Sequence, residues 1–181
     1  AIQGRIAEAA ISARRQPDEV TLIAVSKTVP IEGLLEAYEA GQRHFGESRL
    51  QEAIPKIHTM PSDCVWHFIG PLQSNKAKAI GNLFHIVHTV YNDRQIKEIE
   101  KCDRQVDVLI EVNIAEEAQK AGIFLKDIDD FYQSLIHCKQ ANFRGLMTIG
   151  PRVENVEESR RLFRILSEQN ARLGGQWLSM G

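Results

Sequence analysis

Two kinds of hydrophobic pattern alternate along the chain. Short apolar runs are typical of strands buried on both faces of a parallel sheet, and stretches with an apolar residue every three or four positions are typical of amphipathic helices. The short runs predict seven strands, at about 21–28, 42–47, 64–69, 84–90, 106–112, 143–149 and 176–181. The other stretches predict helices at about 2–13, 31–40, 50–57, 72–80, 96–99, 125–138 and 156–173.

Strands that alternate with helices through short connections indicate repeated β-α-β units and a parallel sheet. No linker, low-complexity stretch or change of composition divides the 181 residues, so we expect one α/β domain over 1–181. Seven strands leave two architectures open. One is an open, doubly wound sheet, and the other is a (β/α)₈ barrel that lacks its last helix and strand.

The first strand has a lysine at its end. Four apolar residues, Leu22 to Val25, are followed closely by Lys27, and Val29-Pro30 then ends the extended segment. The carboxyl ends of parallel strands carry the chemistry in open sheets and in barrels. A lysine partly desolvated there can attack an aldehyde and form a Schiff base. The alternative is an ordinary lysine with a solvated head group.

Other polar residues follow the predicted strands and are expected at the same rim. Ser48 follows the second strand, Met147 ends the sixth, and Ser179 and Gly181 end the seventh. The hydroxyl of Ser179 and the amides near Gly181 would suit a phosphate, although an ordinary turn gives the same pattern. His67 lies within the third strand, where a buried histidine with satisfied hydrogen bonds is the alternative to a binding role.

Composition argues against several classes of function. A net charge of −2 without a basic stripe gives no support for binding nucleic acid or an anionic membrane. Three dispersed cysteines indicate reduced thiols in a cytoplasmic protein, and no apolar run is long enough to cross a membrane. His85 and His88 would lie on opposite faces of a strand, so they are a poor metal pair.

Several motifs occur together in one order. They are Ala24-Val25-Ser26-Lys27-Thr28, Ala40-Gly41-Gln42-Arg43, Phe45-Gly46-Glu47, the block from Trp66 to Lys76 (WHFIGPLQSNK), Gly145-Leu146-Met147-Thr148-Ile149 and Leu178-Ser179-Met180-Gly181. The chain resembles, over nearly its whole length, the pyridoxal phosphate homeostasis proteins, known as YggS in bacteria and PROSC in animals. The block from Trp66 to Lys76 makes this resemblance highly specific.

The resemblance implies a single barrel domain of the alanine-racemase type. It implies pyridoxal 5′-phosphate (PLP) held as a Schiff base on Lys27, with Ser179 and the amides near Gly181 at its phosphate. Two further residues in the matching motifs, His67 and Met147, and Ser48, which directly follows one of the motifs, are expected to line the cofactor site. The family has asparagine where this chain has Ser48, whose hydroxyl is shorter than an amide and offers fewer hydrogen bonds.

The family is regarded as a carrier and regulator of PLP without an established reaction. We therefore expect a non-catalytic, monomeric protein in vitamin B6 homeostasis, with PLP-dependent apoenzymes as candidate recipients. The alternative is an amino-acid racemase, which needs a second acid–base group across the substrate carbon. Tyr38, Tyr91 and Tyr132 are predicted in or beside helices, away from strand ends. Relatives continue past Ser-Met-Gly into a helix and a strand that completes the phosphate site, so an open barrel is expected here.

Overall fold

The computed structural model describes residues 2–150 and 156–180. The strands are β1 Ala24–Val25, β2 His44–Glu47, β3 Val65–Phe68, β4 Ile86–Val90, β5 Val106–Glu111, β6 Ala141–Met147 and β7 Trp177–Ser179. The helices are α1 Ile2–Ser12, α2 Ile31–Glu39, α3 Leu50–Thr59, α4 Ser74–Leu83, α5 Asp93–Ile99, α6 Ile128–Ile136 and α7 Val156–Arg172. The strands form one parallel sheet in chain order, which confirms the predicted alternation of strands and helices.

The sheet has two faces of different character. The outer face packs against the helices and includes Trp66 and Phe68 of β3, which are each 2% exposed. Side chains alternate along a strand, so Val65 and His67 lie on the other face. This inner face carries a small apolar cluster formed by Val65 with Ile86, Leu109 and Met147. The cluster covers part of this inner face.

A hydrogen bond between distant strands shows that the sheet is curled. His88 of β4 lies with its Nδ1 2.9 Å from the Oγ of Ser179 on β7. Adjacent strands are about 4.8 Å apart, so strands three places apart in a flat sheet would be roughly 14 Å apart. The sheet is therefore curled around its inner face as in a barrel, and the predicted (β/α) barrel-type fold is confirmed over the open, doubly wound sheet.

The prediction that the first strand is buried on both faces is wrong. β1 comprises two residues, and Val25 is 49% exposed on the inner face. Within the described ranges β1 pairs with β2 alone, so one side of it has no neighbouring strand. The apolar run reflects packing of Ala24 against the main core and does not indicate complete burial.

Two helices begin at residues other than the predicted ones, one because of a capping residue and the other because a 3-10 turn precedes it. Asn92 accepts a hydrogen bond from the backbone of Gln95 and forms a capping box with it, so α5 begins three residues before the predicted start at Ile96. A single 3-10 turn at Leu125–Asp127 precedes α6. In the part of the chain that the structure describes, no helix combines the length and the apolar character needed to cross a membrane.

Candidate functional site

Lys27 lies in a tight turn directly after β1. The backbone N–H of Val29 donates to the carbonyl of Ser26 at 3.0 Å, which closes the turn, and Thr28 has a left-handed φ of 64°. That conformation is costly for a β-branched residue and is typical of functional sites when surrounding structure imposes it. Lys27 is exposed, and its side chain makes no hydrogen bond or ion pair with any described residue. The expected partial desolvation is therefore absent, and the amine is accessible.

A buried ion pair stabilises this turn through the backbone of Ser26. Glu47 is completely buried, and its Oε1 accepts hydrogen bonds from Lys56 Nζ at 2.6 Å and Ser26 Oγ at 2.7 Å. Lys56 Nζ also donates to the Ser26 carbonyl at 2.7 Å. The ammonium of Lys56 thus holds the backbone of the residue that precedes Lys27. We call Ser26, Glu47 and Lys56 the buried triad.

Lys56 was not predicted as a site residue from the sequence. The sequence nevertheless indicates that Lys56 is buried, because it shares the helical spacing of Ala53 and Met60, which are both buried. A charged residue on the buried face of a helix requires a partner of opposite charge. Its partner, Glu47, lies at the end of a strand, and this pairing becomes visible once α3 is packed on β2.

A second group of candidate site residues lies at the carboxyl ends of the last three strands. Glu111, Met147 and Ser179 are in register with one another across β5, β6 and β7. Met147 is 3% exposed within the inner apolar cluster. Ser179 is half-buried, and its backbone carbonyl accepts from the N–H of Thr148 at 2.9 Å. This row forms one edge of the rim, with Ser179 at its end.

Glu111 is a buried carboxyl group in this row. It is 6% exposed, and its Oε2 has no hydrogen-bond partner among the described residues. Burial disfavours the charged carboxylate and raises the pKa of Glu111 from 4.5 to about 7. The side chain therefore exchanges a proton near neutral pH at the rim of the sheet.

Glu111 makes the stability of the fold dependent on pH. Between about pH 4.5 and 7 the folded chain keeps a proton that the unfolded chain has released, so rising pH destabilises the fold across this window. Glu111→Gln is expected to be about 2 kcal/mol more stable than the wild type at pH 8 and nearly equal at pH 4. Urea unfolding at both pH values measures this difference, and an equal pH dependence of the two proteins would contradict it.

Three histidines form a hydrogen-bonded chain on the inner face. The Nδ1 of His44 lies 2.9 Å from the Nε2 of His67, and the Nδ1 of His67 lies 2.9 Å from the Nε2 of His88. His88 continues to Ser179 through the 2.9 Å contact described above. Both ring nitrogens of His67 are therefore engaged by other histidines, and this residue reaches the rim through His88 and Ser179. His44 and His88 were missed as site residues, because their proximity depends on the register of three strands.

Of the remaining predicted site residues, Ser48 lies at the same rim. Ser48 is half-buried after β2, and its backbone lies against Gly70 so closely that a Cβ at Gly70 would be 2.1 Å from the Ser48 carbonyl oxygen. Gly181 lies outside the described residues. Tyr91 directly follows β4, so the prediction that it lies away from strand ends is wrong. Tyr38 and Tyr132 lie within α2 and α6, as predicted.

Comparisons with known proteins agree with this geometry. Residues 4–180 match the family profile described as alanine racemase, N-terminal domain. The pyridoxal phosphate homeostasis protein of Escherichia coli strain K12 is 38% identical over 170 residues, which cover 87% of this chain and 71% of that protein.

Two solved structures share the fold. The structure of PipY from Synechococcus elongatus PCC7942 with PLP bound is 31% identical, with a TM-score of 0.77 and 97% of each chain covered. An alanine racemase from Bacillus anthracis matches with a TM-score of 0.73 at 17% identity, over 99% of this chain and 48% of its own, and shows likeness of fold alone. The chain therefore belongs to the family of pyridoxal phosphate homeostasis proteins, which has the fold of the alanine racemase N-terminal domain.

Proposed function

We propose that this chain binds PLP through a Schiff base on Lys27 and acts in PLP homeostasis as a carrier without catalysing a reaction. The observation that carries the proposal is the position of Lys27. Its accessible amine lies on a conformationally constrained turn at the carboxyl end of β1, and the buried triad anchors that turn. A fixed, accessible amine suits condensation with an aldehyde.

We assign the phosphate end of the ligand to β7, the last strand of the sheet, whereas Lys27 follows β1, the first strand. Ser179 ends β7 at the same carboxyl rim, with a hydroxyl that can donate to a phosphate oxygen. Gly181 is proposed to add a backbone amide. Ser48, His67 and Met147 are proposed to border the ligand between these ends. The relatives' names and the PLP-bound PipY structure support this choice of ligand.

The absence of catalysis is part of the proposal. A racemase remains the alternative because Tyr91 directly follows β4 and Glu111 ends β5, so that two residues with acid–base side chains occur at strand ends. Incubation of the PLP-loaded chain with L-alanine and measurement of D-alanine separates the two functions. Steady formation of D-alanine that is lost in Lys27→Ala would overturn the non-catalytic role. We further propose a cytoplasmic monomer, with PLP-dependent apoenzymes as candidate recipients.

The ligand assignment is tested by mixing the chain with PLP, removing free PLP by gel filtration and recording the near-ultraviolet and visible spectrum. The wild type is expected to retain an absorbance band of an imine, and Lys27→Ala is expected to lose it. Lys97→Ala is the matched control, because Lys97 is exposed on α5, away from the rim. A wild-type chain that is folded but retains no PLP would overturn the proposal.

A further inference from the structure

The three-histidine chain runs from His44, at the amino end of β2, to Ser179, at the carboxyl end of β7. His44 lies opposite Val65, two residues before His67, and His67 lies opposite Ile86, two residues before His88. Each step therefore moves one strand across and two residues towards the carboxyl rim. The series of hydrogen-bonded histidines begins beside a surface depression lined by Gln42 and His44 and ends at Ser179. A change in the hydrogen bonding of Ser179 can thus be transmitted through consecutive hydrogen bonds to His44 on β2.

The interior rings of this chain are neutral near pH 7. Burial lowers the pKa of His67 to about 2, with further lowering by the neighbouring histidines, and burial lowers the pKa of His88 to about 4. Burial also lowers the pKa of His44. A neutral imidazole has one N–H group and one acceptor nitrogen. Each ring can therefore donate to only one of its two neighbours, and all three hydrogen bonds must run in the same direction.

Two directions satisfy all three contacts. In the first, the Ser179 hydroxyl donates to His88, and each of the three rings carries its proton on Nε2. In the second, each ring carries its proton on Nδ1, and His88 donates to the oxygen of Ser179. The second direction leaves the Ser179 hydroxyl hydrogen available for another acceptor.

A phosphate dianion offers acceptor oxygens and no donor. It can bind the hydroxyl of Ser179 through the hydrogen that the second direction frees. We propose that His44, His67 and His88 are positioning residues that hold Ser179 as a hydrogen-bond donor to the phosphate of the bound ligand. This inference rests on the proposed function, in which Ser179 contacts the phosphate of PLP. Phosphate binding at Ser179 then fixes the tautomer of His44, at the amino end of β2.

The test reads the tautomer of each ring directly. The full chain is labelled with ¹⁵N, and long-range ¹H–¹⁵N correlation spectra distinguish a proton on Nδ1 from one on Nε2. With PLP bound at neutral pH, all three rings are expected to carry the proton on Nδ1. His58, which is exposed on α3, is the internal control and is expected to keep the same signals with and without PLP. A proton on Nε2 of His67 or His88 in the PLP-bound chain would overturn the inference.

Substitutions provide an independent measurement. His88→Phe removes the donor to Ser179 and is expected to weaken PLP binding about tenfold, while the affinity for pyridoxal, which lacks the phosphate, is unchanged. His88→Asn keeps an N–H near the position of Nδ1 and is expected to restore most of the affinity for PLP. Adding His88→Phe to Ser179→Ala is expected to cause no further loss, since both changes remove the same interaction.

The outcomes distinguish this inference from the proposed function. If the wild type retains PLP on Lys27 but His88→Phe weakens PLP and pyridoxal binding equally, the histidines have no specific role at the phosphate and the inference fails alone. If the wild type binds no PLP, the proposed function fails and the inference fails with it. A loss confined to the phosphate-bearing ligand, with rescue by His88→Asn, supports both.

Discussion

Lys56→Ala is expected to destabilise the fold by about 3–5 kcal/mol, because it leaves a completely buried carboxylate without its cation. The carboxyl group of Glu47 already has one oxygen without a hydrogen-bond partner among the described residues, so little is available to compensate. A loss of this size approaches the total stability of many domains. Urea unfolding at pH 7, followed by circular dichroism, measures the change in the free energy of unfolding.

Two further variants test whether the charge is responsible. Arg49→Ala removes an exposed ion pair with Glu52 at the start of the same helix and is expected to leave the unfolding midpoint nearly unchanged. Glu47→Leu combined with Lys56→Met replaces the buried ion pair by apolar side chains and is expected to recover most of the lost stability. A Lys56→Ala chain with a midpoint equal to that of Arg49→Ala would contradict the account of the buried triad.

Gly145→Ala is expected to destabilise the fold by about 3 kcal/mol and to weaken PLP binding more than tenfold. A Cβ at this position would lie 1.9 Å from the carbonyl oxygen of Trp177 and 2.7 Å from the Oδ1 of Asn170. Trp177 is the first residue of β7 and pairs with Gly145, so the added methyl group forces β7 away from β6. Ser179 lies on the displaced strand. Urea unfolding and equilibrium titration with PLP measure the two effects.

Gly174→Ala separates the steric clash from backbone strain. Both glycines have a positive φ, of 152° at Gly145 and 74° at Gly174, but no described atom lies within 4 Å of the position that a methyl group would take at Gly174. This variant is expected to cost about 1 kcal/mol through its backbone conformation and to leave PLP affinity unchanged. Equal effects of the two substitutions on PLP binding would contradict the assignment of Ser179 to the ligand site.

The local pattern of the chain predicts much of the fold. β4 and β5 are largely apolar strands with neighbours on both sides, and they are buried as predicted, apart from the half-buried Asp107. The burial of β1 could not be predicted in the same way, because Val25 becomes exposed through the position of β1 at an edge of the described sheet. Periodicity indicates that a strand exists, but the number of its neighbours is a property of the whole sheet.

The site shows the same division between local and tertiary information. Lys27 and Ser179 were found at strand ends, since a residue directly after an apolar run can be placed by inspection. Lys56 and His88 were missed, because each acquires its role from a partner on another element of the fold. The histidine chain requires the register of β2 with β3 and of β3 with β4, which no local pattern contains.

The central claim is that Lys27 forms the covalent bond to PLP. The most direct measurement is reduction of the PLP-loaded chain with borohydride, followed by proteolysis and mass spectrometry of the peptides. Borohydride converts a Schiff base to a stable secondary amine, so the modified lysine can be identified. We expect one pyridoxyl phosphate group per chain, on the peptide that contains Lys27. Its absence from that peptide, or its distribution over exposed lysines such as Lys97, would contradict the account.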